Sequence, residues 1–160
     1  MRYSRVIFVT GPSGAGKSSL AASLARRIHY QQLSLDVIRM KFRGDTRKAW
    51  LEIWRAIRGG KRIVVDATGA SRIFRLVYRA AVFEHANPII VRLRAGEESL
   101  HRRQKMIKAG VIFLTSGKQV TERYLMEGAI STSPDLDIDT TRLTRRQVLD
   151  RVISYLRNQS

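Results

Sequence analysis

The chain has 160 residues, 44% of them hydrophobic, enough for one ordinary domain with a core of its own and no length for a second. It contains no cysteine, which excludes a disulfide framework and a cysteine-based zinc site. With 30 Lys and Arg against 13 Asp and Glu, the formal net charge is +17, far more than solubility requires, and polyanions become the expected partners. The basic residues run from Arg26 and Arg27 to Arg145 and Arg146, so the field belongs to the folded body and not to a disordered tail. A nucleic-acid phosphate backbone is the functional reading of that charge, and a solvated basic surface is the plain one. The first apolar run is too short for a signal peptide or a membrane span, so a single cytoplasmic domain over 1–160 without membrane association is expected.

In chain order, Val6–Thr10 reads as a strand, and Gly11-Pro12-Ser13-Gly14-Ala15-Gly16-Lys17-Ser18 then fits G-x-x-x-x-G-K-[ST]. Ser19 opens the apolar run that follows, so the context is strand, glycine loop, helix (Lys17–Ile28). Such a loop turns its backbone N–H groups around a polyphosphate, with Lys17 on the β and γ phosphates and the Ser18 hydroxyl on Mg²⁺. ATP and Mg²⁺ are the implied ligands, and Gly11 to Ser19 their contacts. A short strand follows near Gln32–Leu35, then a helix around Arg47–Ile57 stopped by Gly59-Gly60. Strand Arg62–Asp66, helix Ser71–Glu84 and strand Pro88–Leu93 come next. Helix Glu97–Lys108 stopped by Gly110, helix Lys118–Glu127, a short strand Leu136–Asp139 and helix Arg145–Leu156 complete the chain. Ser116-x-x-Gln119 and Thr144-x-x-Gln147 read as capping boxes opening the last two helices. The βαβα order predicts an α/β fold, a doubly wound parallel five-stranded sheet with helices on both faces and its ligands at the carboxyl ends of the strands.

Those strand ends carry the chemistry. Asp36 follows the second strand, with Arg39 one helical turn on. A carboxylate there is suited to take the proton of an attacking hydroxyl, and the arginine to grip a phosphate or carboxylate of the acceptor. The plain reading is a helix-start Asp with a surface partner. The run Ile63-Val64-Val65-Asp66 is Walker-B-like and makes Asp66 a Mg²⁺-linked carboxylate beside Ser18, although the two aspartates are interchangeable at this level. Asp66-Ala67-Thr68-Gly69 also fits D-x-x-G of GTPases, but neither N-K-x-D nor the L-S-G-G-Q of transport ATPases occurs.

Taken together, Gly11–Ser18, Asp36-x-x-Arg39, Val65-Asp66-Ala67-Thr68 with Arg75 nine residues after Asp66, Arg102-Arg103 and Ile138-Asp139-Thr140-Thr141 resemble the P-loop kinases of the polynucleotide 5′-hydroxyl kinase and zeta-toxin-like group. The resemblance covers essentially the whole chain. It implies that Asp36 activates a 5′-hydroxyl and Arg39 contacts the adjacent phosphate. It further implies that Arg75, with Thr68 and Arg72 nearby, lies on the substrate side, and that Arg102 or Arg103 belongs to a lid over the ATP phosphates. The chain departs from the group at Gly69, where Asn is common.

The stretch from about 97 to 127 reads as that lid, with Gly110 and Gly117 as hinges and Arg102, Arg103 and Lys105 carried onto the transferring phosphate. A charged helix face in solvent is the competing reading. Asp135, Asp137 and Asp139 alternate with Leu136 and Ile138 as a strand does, and Thr140 occupies the position where a calcium loop needs Gly. In related folds the loop just after the last strand borders the adenine, which makes Thr140 and Thr141 candidates for base contact. Trp50 and Trp54 are read as a core-facing stripe, and the 3 histidines as structural or surface residues with no metal cluster.

The reading is an ATP-dependent kinase acting on a hydroxyl, with a nucleic-acid 5′-hydroxyl as leading substrate. A small-molecule kinase (nucleoside, sugar acid, shikimate-like acid or antibiotic) is the first alternative, and a nucleic-acid-binding ATPase the second.

Overall fold

The computed structural model describes residues 4–96, 98–102 and 133–159. Five strands, β1 (Val6–Thr10), β2 (Gln31–Ser34), β3 (Ile63–Asp66), β4 (Ile89–Arg94) and β5 (Leu136–Asp139), form one sheet in the order β2-β3-β1-β4-β5. Every pairing is parallel, with Val9 opposite Asp66, Ser34 opposite Asp66 and Arg92 opposite Asp137. The five named helices are α1 (Lys17–Ile28), α2 (Leu35–Lys41), α3 (Thr46–Arg58), α4 (Arg72–Phe83) and α5 (Arg145–Asn158).

A strand covered on both faces buries every residue, and β1 does so: all five are buried. Val6 and Phe8 point into a core built with Trp50 and Ile53 of α3 and Phe74 of α4. Ile7 and Val9 point the other way, into a core with Leu20 and Leu24 of α1 and Val152 and Leu156 of α5. Phe8 meets Phe74 edge to face, with centroids 5.2 Å apart. Trp50 is buried and Trp54 partly so, as their spacing on α3 predicts.

Most boundaries fall within a residue or two of those read from the sequence. Thr144 and Gln147 form the expected capping box, Thr144 Oγ1 accepting from the Gln147 backbone and Gln147 Oε1 from that of Thr144. One correction concerns Leu35, expected in strand: β2 stops at Ser34 and Leu35 begins α2, a seven-residue helix absent from the sequence reading. It buries only Leu35 and Ile38, leaving Val37 and Met40 about half exposed, too short and too weakly patterned to announce itself. The expected lid lies largely outside the described residues, as do Arg103, Lys105, Gly110, Gly117, the Ser116-x-x-Gln119 box and the helix expected at Lys118–Glu127; residues 98–102 are helical. No helix among the described residues is long and apolar enough to cross a membrane.

Candidate active site

The glycine loop leaves β1 at Thr10 and enters α1 at Lys17. Gly11, Gly14 and Gly16 have φ of 143°, 85° and 96°, a region where side chains are strained, so the loop conformation requires glycine there. Gly16 is the N-cap of α1, and no side chain caps that end. The first-turn N–H groups are left for a ligand at the positive end of the helix. Thr140 closes the loop from behind: it is buried, with its hydroxyl 3.3 Å from the Ala15 carbonyl and 3.0 Å from that of Arg94. These two bonds tie the glycine loop to the end of β4, and Thr140 stays a candidate for contact with the adenine.

Lys17 Nζ donates to the Pro12 carbonyl at 2.8 Å. Its ammonium is withdrawn from solvent although the residue keeps some surface. Burial pulls its pKa below the ordinary lysine value, and the charges of Asp36 and Asp66 partly counter that. Lys17 thus lies in the field of both carboxylates that the sequence singled out.

Those carboxylates occupy opposite environments. Asp66, at the end of β3, is 2% exposed, with Oδ1 accepting from Ser18 Oγ at 3.3 Å and from Ser34 Oγ at 2.8 Å, and Oδ2 accepting from Gln32 Nε2 at 3.1 Å. Asp36, in the first turn of α2, has a side chain 75% exposed and pairs with Arg39 at 3.1 Å. The Arg39 guanidinium is more enclosed, and its Nε is buried with no hydrogen-bond partner.

Gln32 and Ser34 were not singled out from the sequence. Their signal was alternation: two polar residues at i and i+2 on a strand beside the Walker-B-like strand face the same way.

Thr68 gives its carbonyl to the Gly11 N–H at 3.3 Å, which joins the glycine loop to the segment after β3. Gly69 has φ 78°, and a Cβ there would lie 2.8 Å from Thr10 Cβ. This explains the departure from the kinase group: Asn at 69 would collide with Thr10. Arg72 and Arg75 stand in the first turn of α4, just beyond this segment. Arg102 lies 3.6 Å from Glu98, one turn back on the helical residues 98–102, with its side chain 70% exposed. At the far edge of the sheet, Asp137 accepts from Arg92 and Arg94 across β4 and β5. Burial raises the Asp137 pKa, but the two hydrogen bonds and charges outweigh it and leave the carboxyl below its ordinary value.

The donors around Ser18 are a hydroxyl and a carboxylate, hard oxygens of the type Mg²⁺ takes alongside phosphate oxygens and water. Among the described residues no cluster of three or more His, Asp or Glu exists that would hold a metal without a ligand's help. The hydroxyl of Ser18 and the carboxylate of Asp66 thus fit a Mg²⁺ ion.

Solved structures share this fold over nearly the whole chain at low identity. The APS kinase of Mycobacterium tuberculosis, in complex with AMPPNP and APS, has a TM-score of 0.72 and 17% identity, covering 98% of this chain and 99% of that one. A gluconokinase from Sinorhizobium meliloti has a TM-score of 0.70 and 18% identity, covering 99% and 95%. The shikimate kinase of Acinetobacter baumannii, in complex with shikimate, has a TM-score of 0.70 and 16% identity, covering 97% and 94%. These likenesses place the chain in the P-loop kinase fold. No curated protein matches it. The model of an AAA domain family matches residues 6–110, from the start of β1 past the end of β4 and across both aspartates. With well over half of the sequence matched, the chain belongs to that AAA domain family, AAA_33.

Proposed function

We propose that the protein is a MgATP-dependent kinase of a small hydroxylated acceptor that carries an anionic group. The observation that carries this reading is the division between the two aspartates around Lys17. Asp66, buried and bonded to Ser18, is the metal-side carboxylate; Asp36, exposed at the strand end, is the base.

The glycine loop and the first turn of α1 hold the phosphates, and Lys17 leaves the Pro12 carbonyl for them, trading a neutral acceptor for an anionic one. Ser18 and Asp66 are the residues that would hold Mg²⁺, which offsets phosphate charge when bound. Asp36 takes the acceptor's hydroxyl proton as that oxygen attacks the γ-phosphorus in line and ADP leaves. Arg39, with a buried Nε still available, grips the acceptor's carboxylate or phosphate. Arg72 and Arg75 on α4 extend the cationic wall, and Arg102 and Arg103 are the lid arginines that close over the transferring phosphate.

Three kinases that share the fold act, by their names, on APS, gluconate and shikimate, and this supports a small acceptor over a nucleic acid. The nucleic-acid 5′-hydroxyl keeps one supporting observation, the net charge of +17. Transfer of labelled γ-phosphate into a panel of hydroxylated sugar acids and ring acids, with 5′-hydroxyl oligonucleotides in parallel, tests both. Label in a small acid that depends on Lys17 and Asp36 establishes the main reading. Label confined to the oligonucleotide replaces it with the second, and ATP binding without any transfer refutes both.

A further inference from the structure

Ser34 ends β2 and is the N-cap of α2. Serine at that position ordinarily accepts a hydrogen bond from the first-turn backbone, yet here no such bond forms. Its hydroxyl donates instead to Asp66 Oδ1 at 2.8 Å. Two residues earlier on the same strand face, Gln32 sends its amide nitrogen to the other oxygen, Oδ2, at 3.1 Å. That nitrogen also lies 3.5 Å from the Ser18 carbonyl. Both neighbours are pure acceptors, so the NH₂ end is the end of the side chain that belongs there. A buried carboxylate needs donors whatever its role. An N-cap left unmade and an amide shared with the first turn of α1 go beyond that need, and local rules are broken in this way at functional sites.

We propose that Gln32 and Ser34 are positioning residues that set Asp66, and through the Ser18 carbonyl the start of α1, for a divalent cation that binds together with nucleotide. The proposal rests on the MgATP part of the reading above. The Ser18 contact is the longest of the three at 3.3 Å and is given up at least cost, while Ser34 and Gln32 keep the carboxylate in place without it. Ser34 opposite Asp66 is also a register pair of β2 and β3, so the sheet itself sets the distance.

The test is a Mg²⁺ titration at fixed AMPPNP, reading the Mg²⁺ midpoint for nucleotide binding in the intact chain and in Ser34→Ala, Ser34→Thr, Gln32→Ala and Gln32→Glu. Loss of such supporting residues raises a metal midpoint by roughly 10- to 100-fold. That rise is expected in Ser34→Ala and Gln32→Ala, with metal-free AMPPNP affinity unchanged. Ser34→Thr restores the hydroxyl and the midpoint. Gln32→Glu sets a carboxylate against Asp66 and exceeds Gln32→Ala. In an Asp66→Asn background, Ser34→Ala adds no further rise, because the two act through one group. If either alanine variant does not fold, the other gives the same reading. An unchanged midpoint in the alanine variants overturns the proposal, as does an equal loss of affinity with and without Mg²⁺, the mark of a merely structural role. A wild-type chain that binds AMPPNP more tightly with Mg²⁺ yet transfers no phosphate overturns the kinase reading alone.

Discussion

Gly11 lies so close to the end of β4 that a Cβ there would stand 2.3 Å from the Leu93 carbonyl oxygen. The neighbour is backbone held in the sheet and cannot give way. Gly16 has a positive φ as well, but nothing lies within 4 Å of its would-be Cβ. Gly16→Ala therefore bears only the conformational strain, on the order of 1–2 kcal/mol. Gly11→Ala bears strain and collision, and the loop must move off β4. We expect Gly11→Ala to lower the thermal midpoint clearly more than Gly16→Ala, as followed by circular dichroism.

Lys17 predicts a trade between function and stability. Because burial lowers its folded pKa, the unfolded chain binds the proton more tightly between that value and the ordinary 10.5. This group therefore adds stability as pH rises through that window and opposes folding below it. Lys17→Met removes the buried charge and is expected to raise the midpoint at pH 7 by ~2–4 °C, about 1 kcal/mol for a chain of this size, while abolishing phosphoryl transfer. A midpoint that falls in differential scanning calorimetry contradicts this.

Asp36 and Arg39 form an exposed i,i+3 pair, a type of contact that stabilises by less than about 1 kcal/mol. Asp36→Ala should leave the thermal midpoint within a degree or two. On the role proposed for Asp36, the same variant lowers kcat roughly 10²- to 10⁴-fold, with ATP affinity by calorimetry unchanged. Arg39→Ala should raise KM for the acceptor far more than it lowers kcat.

The Asp137 pKa is depressed, so its contribution is present above the unfolded carboxyl value near 3.8 and is lost as pH falls through the folded value. Asp137→Asn leaves Arg92 and Arg94 side by side on β4 without their carboxylate. We expect a loss of about 1 kcal/mol at pH 7, reduced from the buried-pair figure because the site is partly solvated, and no difference from wild type in strong acid. Urea unfolding at the two pH values checks both.

Thr140→Val removes the hydroxyl between the Ala15 and Arg94 carbonyls and keeps the shape. A cost of about 1 kcal/mol is expected, with a weaker ATP affinity because the loop loses its tie to β4.

Much of this molecule was legible from the sequence alone. The β1 boundaries, the glycine loop and α1 follow from local rules: an apolar run buried on both faces, glycines where φ must be positive, and a helix begun without a cap. The strand alternation and the capping box at Thr144 likewise depend on near neighbours in the chain. What the sequence could not show was how differently the two aspartates are placed, since Asp36 and Asp66 both follow strands and both precede helices or loops. Burial separates them, and burial depends on contacts far apart in sequence: Asp66 is enclosed by Ser18 of α1 and by Gln32 and Ser34 of β2, whereas Asp36 pairs with Arg39 of its own helix. Helix α2 escaped notice for the same reason, because packing against α3 and not its own pattern holds it. The glycine at 69 looked like a departure from a motif until Thr10, 59 residues earlier, proved to occupy the space that a side chain would need.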